Sequence, residues 1–334
     1  MLTGLLIALG LRTGSNNAKL KGDGLKLAEK DVTEKALLAC NDIFADIVNN
    51  LMFAGDKRIE ENELEQAPDK GVYLGESGFR ELERDISKYW KRNNIRIALL
   101  GIENQTVPDN DMPIRVMGYD GLAYRSQIQY EADERGIRKK KTERYPVITL
   151  VLYFGYGKHW NAARTLHESL GDALETELAE YVPDYAINLY EIAYLTDEQL
   201  KGFQSDFKYV ADYFVQMQRT GTYTGSHEEM RHVREVLQLM SVLTGDGRFA
   251  SVVETVDNDS EKGGIKSMCD VLDAIEKRGY DSGYDSGYDS GYDQGEVARA
   301  KKDALRMYKK GIIIEDISDI VGEDIETITG WIRE

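Results

Sequence analysis

The stretch LLGIENQT, residues 99–106, decides the fold of this 334-residue chain. Together with NNIRIA, which precedes it, the stretch predicts a β-strand that is apolar on both faces, as strands inside an α/β sheet are. The strand ends in Glu103, Asn104 and Gln105. A carboxylate at the end of a buried strand is costly unless a partner compensates its charge. An arginine, a set of backbone N–H donors or a metal ion can be that partner.

Helix and strand patterns alternate on both sides of this strand. TEKALLACNDIFADIVNNLMFAG (33–55) predicts one amphipathic helix, and FRELERDISKYW (79–90) leads into a second strand. DNDMPIRVMGYDGLAYRSQIQYEADERG (109–136) has helical spacing, and YPVITLVLYFG (145–155) reads as a central strand buried on both faces. The patterns over 161–255 are helical. We therefore predict an α/β fold with a mixed central sheet, followed by a helical region.

The chain divides by composition into five segments. GYDSGYDSGYDSGYDQG (279–295) is a four-residue repeat for which two interpretations remain open. Its glycines each cost a helix about 1 kcal/mol, which favours a flexible spacer, whereas its tyrosines would line one face of a helix. The last segment resembles a helix-turn-helix in layout, but its acidity favours a packing or dimerisation element. The predicted segments are an N-terminal extension (1–30), the core (31–160), a helical region packed on it (161–255), a linker containing the repeats (256–295) and a C-terminal helical module (296–334).

Charge and cysteine content limit the classes of function. The formal net charge is −17, which argues against a general nucleic-acid binder but not against a nuclease whose bound cations reverse the local field. The basic run RGIRKKKTER (135–144) is either a solvated loop or a phosphate-contacting patch; its candidate contacts are Arg138, Lys139, Lys140 and Lys141. Two cysteines are too few for a disulfide framework. We expect a cytoplasmic protein with no membrane partner, because the apolar N-terminus is shorter than the ~20 residues that span a bilayer.

A second carboxylate can reach Glu103 from the preceding strand. If the two strands form an antiparallel hairpin, the residue numbers of any two facing partners add up to the same sum. Asp85 lies on the same face of the sheet as Glu103 only if that sum is even, for example 188. A tight turn on Asn93 and Asn94 gives 187, so the arrangement requires a longer loop or a bulge. Two facing carboxylates raise each other's pKa unless a cation lies between them, and Mg²⁺ or Mn²⁺ suits such oxygen ligands.

The order of these motifs resembles a known nuclease family. Asp85, then Glu103-x-Gln105, then MPIRVMGYDGLAY and YPVITLVLYFG are similar to the Rpn family of recombination-promoting nucleases, within the PD-(D/E)xK superfamily. NDIFADIVNNLMF at the front and LKGFQSDFKYV later in the chain extend the similarity over roughly residues 40–255. The resemblance implies a restriction-endonuclease-like core, DNA as substrate, Mg²⁺ as cofactor and a homodimer for cutting both strands.

The resemblance also assigns roles to single residues. Asp85 and Glu103 match the metal ligands, and Gln105 stands where the superfamily has a lysine, although the Rpn branch commonly has glutamine there. Gln105 can position a water but brings no charge to the transition state. Asp42 matches an acidic residue that the first helix directs into the site, and it is preferred over Asp46, one turn further on.

Other arrangements of these residues remain open. Arg115 can contact a phosphate or brace Glu103, and Asp85 and Glu103 can equally be structural ion-pair partners. His227 and His232 are five apart, so they are not the zinc pair of a metalloprotease, and the sequence supports no Cys-His or Ser-His-Asp set. The expected function is therefore a Mg²⁺-dependent DNA endonuclease that promotes recombination. The alternative is a catalytically inactive interaction or regulatory protein with the same fold.

Overall fold

The computed structural model describes residues 35–68, 70–75, 78–132, 138–140, 142–256 and 264–333. Its strands are β1 (Leu64–Gln66), β2 (Lys70–Gly75), β3 (Gly78–Glu83), β4 (Ile86–Arg92), β5 (Ile95–Gln105), β6 (Tyr130–Ala132), β7 (Arg138–Lys140), β8 (Val147–Tyr153) and β9 (Asn188–Glu191). Its helices are α1 (Asn41–Met52), α2 (Met112–Ser126), α3 (Leu166–Leu170), α4 (Thr176–Ala179), α5 (Asp197–Gly202), α6 (Phe207–Thr220), α7 (Val233–Thr244), α8 (Gly247–Val256), α9 (Met268–Lys309), α10 (Ile314–Val321) and α11 (Ile325–Arg333). Short 3-10 turns lie at Glu61–Glu63, Gly171–Ala173 and Ile192–Tyr194.

A mixed five-stranded sheet forms the centre of the larger unit. Its strand order is β1-β4-β5-β8-β9, in which β1, β4 and β5 are antiparallel while β5, β8 and β9 are parallel. The odd-numbered face of the sheet packs against α2, where Met112 and Val116 meet Val151 and Tyr153. The even-numbered face packs toward α1, where the ring of Phe44 lies against the Lys88 side chain. The α/β class and the mixed sheet agree with the sequence prediction.

The β4–β5 hairpin combines a tight turn with a bulge. Arg92 pairs with Ile95, so Asn93 and Asn94 form a two-residue turn, and both have positive φ (50° and 62°) as primed hairpin turns require. Next to the turn, the numbers of paired residues sum to 187, as for Arg92 and Ile95. The register shifts between Trp90 and Lys91, and beyond that point the sum is 188, as for Ile86 and Ile102. The bulge therefore restores the even sum that the turn alone would have lost.

The predicted first helix is wrong at one point, because it is interrupted at Cys40. Residues 35–39 are helical, Cys40 takes an extended conformation with ψ 127°, and α1 begins at Asn41. The buried ammonium of Lys88 donates hydrogen bonds to the Ala39 carbonyl (2.6 Å) and to Asn41 Oδ1 (2.5 Å). The Lys88 side chain lies on the face of the sheet that packs against α1. Its N–H donors are therefore satisfied by acceptors at the break in the helix, the Ala39 carbonyl and Asn41 Oδ1.

Two other predictions are corrected by the structure. The helix expected over 109–136 ends at Ser126, and Tyr130–Ala132 forms the short strand β6 instead. The region 161–255 is not wholly helical, because β9 joins the central sheet in parallel with β8. β9 escaped detection because it is only four residues long and its sequence, NLYE, carries neither a clear alternation nor an apolar run.

The chain forms two compact units, one up to Val271 and one from Leu272 onward. The repeats lie within α9, so the tyrosine-striped helix, not the flexible spacer, describes them. Tyr280 and Tyr284 are exposed and stack with ring centroids 6.5 Å apart. In the smaller unit Ala304 of α9, Ile317 of α10 and Ile328 of α11 form a buried apolar cluster. α10 and α11 thus have a core of their own, as expected for a packing element.

Candidate active site

Asp85 and Glu103 meet at the point where β4 and β5 reach the end of the hairpin. The Asp85 N–H donates to Glu103 Oε1 at 3.3 Å, and the Asp85 carboxylate accepts the Asn104 N–H at 2.6 Å. Asp85 lies just before β4, where the 188 register would place it opposite Glu103. The structure thus brings Asp85 next to Glu103 through two hydrogen bonds between carboxylates and backbone N–H groups.

Glu103 is almost completely buried, with a side chain that is 1% exposed. Its burial raises the pKa of its carboxyl well above the ordinary value, and the negative charge of Asp85 raises it further. The positive charges of Arg115 and Arg84 act in the opposite direction but do not cancel the rise. A carboxyl in this environment is poorly stabilised as an anion, and added positive charge would stabilise it.

Arg115 of α2 is the direct cationic neighbour of Glu103. Its Nη2 lies 3.3 Å from Glu103 Oε2, and its Nη1 donates to Asp109 at 3.1 Å. Its side chain is 36% exposed, so the guanidinium extends from the buried carboxyl to the surface. Of the two roles left open for Arg115, the structure shows the brace on Glu103, and its exposed edge still offers N–H donors to a ligand.

A second, fully buried ion pair fixes the backbone next to Asp85. Arg84 donates to Asp120 Oδ1 at 2.8 Å, and the same carboxylate accepts the hydroxyls of Thr149 (2.6 Å) and Tyr185 (2.5 Å). The Arg84 side chain crosses β5 at Gly101, where a Cβ would lie only 2.4 Å from Arg84 Cδ. Gly101 is therefore required for the close approach that holds Arg84, and with it the chain at Asp85.

Gln105 lies at the end of β5, and three of the four candidate basic residues lie in a short strand. Gln105 follows Glu103 on the same face of β5 and is half-buried at the strand's end. Arg138, Lys139 and Lys140 form β7, which pairs with β6, while Lys141 lies outside the described residues.

Asp42 belongs to a different cluster. Its Oδ2 accepts hydrogen bonds from His232 Nε2 (2.9 Å) and Arg231 Nη1 (3.3 Å). Asp42 lies on α1, on the sheet face opposite to that of Glu103, so the structure does not bring it to the Asp85–Glu103 pair. Asp46 likewise turns to other partners, accepting the N–H groups of Gln204 and Ser205.

The structure also assembles a group that no sequence pattern supported. Cys40 Sγ lies 3.7 Å from His232 Nδ1, while the opposite ring nitrogen of His232 binds Asp42. Sequence reasoning therefore missed a Cys-His contact. Residues 40 and 232 are far apart in the chain, and no local motif announces their contact.

The donor set at Asp85 and Glu103 suits a hard divalent cation. Both residues offer carboxylate oxygens, the ligands that Mg²⁺ and Mn²⁺ prefer. Among the described residues, each Glu103 oxygen has one hydrogen-bond donor, and a carboxylate oxygen has two lone pairs, so it can accept a further ligand. Burial, and after it the negative charge of Asp85, raises the pKa of Glu103, and a bound cation would act in the opposite direction.

Comparison with known proteins identifies one family. Residues 91–239 match the family model described as "Putative transposase, YhgA-like". The match covers less than half of the chain; it includes Glu103, Gln105, Arg115 and His232, and it begins after Asp85 and Asp42. No curated protein and no solved structure matches the chain. Within the described residues, no helix has both the length and the apolar character needed to cross a membrane. Over residues 91–239 the chain therefore matches the YhgA-like family, which is the Rpn-type, PD-(D/E)xK-type family that its sequence motifs indicate.

Proposed function

We propose that this protein is a divalent-cation-dependent DNA endonuclease that acts in DNA recombination or transposition. Asp85 and Glu103 are the proposed ligands of Mg²⁺, and DNA phosphodiesters are the proposed substrate. Because cutting both strands of a duplex needs two sites, we propose a homodimer as the active form. The family's printed description, which names a transposase, supports the nucleic-acid substrate.

One observation supports the proposal above the others. The 188 register sets Asp85 against the Glu103–Asn104 segment, and this register exists only because a bulge corrects the one-residue offset of the Asn93–Asn94 turn. Asp85 and Glu103 are thereby neighbours, and the pKa of the Glu103 carboxyl is raised first by its burial and then by the negative charge of Asp85. Clustered like charges of this kind are typical of metal-binding and catalytic sites.

The chain's own residues would perform separate tasks in such a reaction. Asp85 and Glu103 would hold the ion, which supplies Lewis-acid polarisation of a phosphodiester. Gln105, two residues beyond Glu103 on the same face, would orient a water through a hydrogen bond. Arg115 would hold a phosphate oxygen with the part of its guanidinium that faces solvent. Since Gln105 carries no charge, stabilisation of the developing negative charge would fall to Arg115 and the ion.

A second candidate function rests on the contact between Arg115 and Glu103. Buried Glu103 has an arginine partner 3.3 Å away, and a structural ion pair has the same geometry. This observation favours a protein that keeps the fold and has lost the chemistry. Such a protein would bind DNA or another partner without cleaving it.

Cleavage of supercoiled plasmid in the presence of Mg²⁺ distinguishes the two candidates. We expect the wild-type protein to produce nicked and linear DNA, and we expect Asp85→Ala and Glu103→Gln to produce neither. Asp56→Asn is the control, because Asp56 is an exposed carboxylate whose side chain is 74% accessible. Equal nicking by wild type and Asp85→Ala would refute the proposed site. A folded wild-type protein that cleaves with neither Mg²⁺ nor Mn²⁺ would favour the non-catalytic candidate.

A further inference from the structure

Cys40, His232 and Asp42 form a continuous chain of side chains on the α1 side of the sheet. Cys40 Sγ lies 3.7 Å from His232 Nδ1, and His232 Nε2 lies 2.9 Å from Asp42 Oδ2. The cluster joins two helix starts, since Cys40 is the N-cap residue of α1 and His232 is the N-cap residue of α7. None of these residues takes part in the Asp85–Glu103 site.

The contacts define the tautomer of His232. A carboxylate can only accept, so the hydrogen bond to Asp42 requires a proton on His232 Nε2. In the neutral ring Nδ1 is then an acceptor, and it faces the thiol of Cys40. The Ala36 carbonyl, also 3.7 Å from Sγ, is the other acceptor within reach of the thiol proton. The thiol thus has a base beside it, and the base is oriented by a carboxylate.

This geometry differs from that of a metal centre, although the residue types could serve one. The candidate ligand atoms lie within 4.8 Å of one another. A metal would need one imidazole nitrogen, the sulfur and the carboxylate oxygen to converge on a common point. Here the sulfur and the carboxylate face different nitrogens of the same ring. The arrangement is that of a nucleophile, a general base and an orienting group.

We infer that Cys40 is a base-assisted nucleophilic thiol and a modification site for small electrophiles, with hydroperoxides as the class that the imidazole suits best. The thiol proton passes to His232 Nδ1 while the sulfur forms a bond to one peroxide oxygen. The O–O bond breaks, and the leaving oxygen takes the proton from His232. Sulfur is oxidised to a sulfenic acid, and the hydroperoxide is reduced to an alcohol or to water.

The surrounding charges explain why the base is needed. Burial raises the pKa of the Cys40 thiol, and the carboxylates of Asp42 and Glu235 raise it further, while Lys88 and Arg231 act to lower it. The net effect keeps the thiol protonated at rest, so spontaneous thiolate formation does not supply the nucleophile. Proton transfer to His232 does. Cys40 as a residue is partly exposed.

Alkylation kinetics test this inference in the full-length protein. The chain has two cysteines, so Cys269→Ser leaves Cys40 as the single thiol and preserves a donor to the Gly225 carbonyl, which Cys269 Sγ contacts at 3.1 Å. The rate of iodoacetamide addition is followed by intact mass at neutral pH. We expect His232→Gln in this background to slow the reaction at least about tenfold, since general-base assistance has that size or more. Asp42→Asn should slow it by less.

The sign of the effect separates a chemical role from a structural one. A variant that loosens the fold exposes Cys40 and accelerates alkylation, so a slower rate cannot come from unfolding. The Cys40→Ser protein, which reports on Cys269, should alkylate at the same rate with and without His232→Gln. Hydrogen peroxide followed by a sulfenic-acid probe should label Cys40 in the parent and much less in His232→Gln.

Two results would overturn the inference. The first is an alkylation rate in His232→Gln equal to or above that of the parent. The second is stoichiometric Zn²⁺ binding that is lost in both Cys40→Ser and His232→Gln, which would assign the three side chains to a metal centre instead.

Discussion

The guanidinium of Arg115 lies 3.3 Å from the carboxylate of Glu103, whose side chain is 1% exposed. This single contact bears on both candidate functions, because the arginine occupies the position where added positive charge is most useful to Glu103. In a structural pair the arginine is the permanent partner. In a metal site it shares the carboxylate with an ion and competes with it.

Replacing Arg115 by Gln measures that competition. If Asp85 and Glu103 bind a divalent cation, removal of the guanidinium should strengthen binding by roughly fivefold, which corresponds to about 1 kcal/mol. Titration calorimetry with Mn²⁺ provides the measurement. Arg125→Gln is the matched control, because Arg125 lies exposed in the last turn of the same helix. Unchanged or weaker binding in Arg115→Gln would count against a shared carboxylate.

The raised pKa of Glu103 predicts how stability depends on pH in protein freed of divalent cations. On unfolding, the pKa returns toward its ordinary value of 4.5, so the unfolded state loses the proton first as pH rises. The folded state then binds more protons, and its stability falls with increasing pH above that value. Glu103→Gln mimics the protonated carboxyl and should remove this loss.

Thermal unfolding in EDTA across pH 4 to 8 tests the prediction. The melting temperature of Glu103→Gln should exceed that of wild type by an amount that grows with pH and disappears near pH 4.5, the ordinary pKa. Glu65→Gln is a suitable control, since the Glu65 pKa is lowered by its hydrogen bond to Lys91 and its removal should give no such gain. A constant difference across the range would show that Glu103 stays ionised.

The crossing of Arg84 over Gly101 predicts a coupling between these residues. A methyl group at Gly101 would lie 2.4 Å from Arg84 Cδ, so Gly101→Ala should destabilise the fold by ~1–3 kcal/mol through overpacking. In an Arg84→Ala, Asp120→Asn background, which removes both buried charges together, most of that cost should vanish. Urea unfolding of the four proteins gives the interaction energy.

Gly121 provides the comparison for this cycle. It lies in α2 with nothing within 4 Å of an added Cβ, so Gly121→Ala should be neutral or should stabilise by up to about 1 kcal/mol. If Gly101→Ala costs the same in both backgrounds, Arg84 does not lie across the strand.

The glycines of the repeat helix predict a gain in stability on substitution. Gly279 and Gly283 lie in α9 with no atom within 4 Å of an added Cβ. Replacing either by Ala should stabilise the helix by ~0.5–1 kcal/mol, because Ala loses less backbone entropy than Gly in a helix. Circular dichroism during thermal unfolding gives the readout. Unchanged or lower thermal stability in both variants would contradict a helix over the repeats.

Local patterns predicted β4, β5 and β8 and indicated how Asp85 could face Glu103, but they missed β1 and β9 of the same sheet. The apolar run of β5 and β8 and the parity of the hairpin follow from side-chain alternation, which depends only on neighbouring residues. The bulge at Trp90 was recognised as one of the ways to satisfy that parity, but its presence could not be chosen over a longer loop. That choice depends on packing across the whole sheet.

Long-range contacts account for what the sequence missed. Lys88 meets the carbonyl of Ala39 from a strand 49 positions away, and this contact coincides with the helix break that no local pattern indicated. His232 reaches Cys40 across an even larger separation, 192 positions. Asp42 was assigned to the wrong partners for the same reason, because its position on α1 was predictable while the element packed against it was not.

The bulge between Trp90 and Lys91 limits how this protein can change during evolution. Inserting or deleting a single residue between Asp85 and Glu103 would move the side chains of β4 that precede the change to the opposite face of the sheet, unless a β-bulge was gained or lost at the same time. Length variation among functional descendants should therefore occur in steps of two, or should coincide with gain or loss of this irregularity.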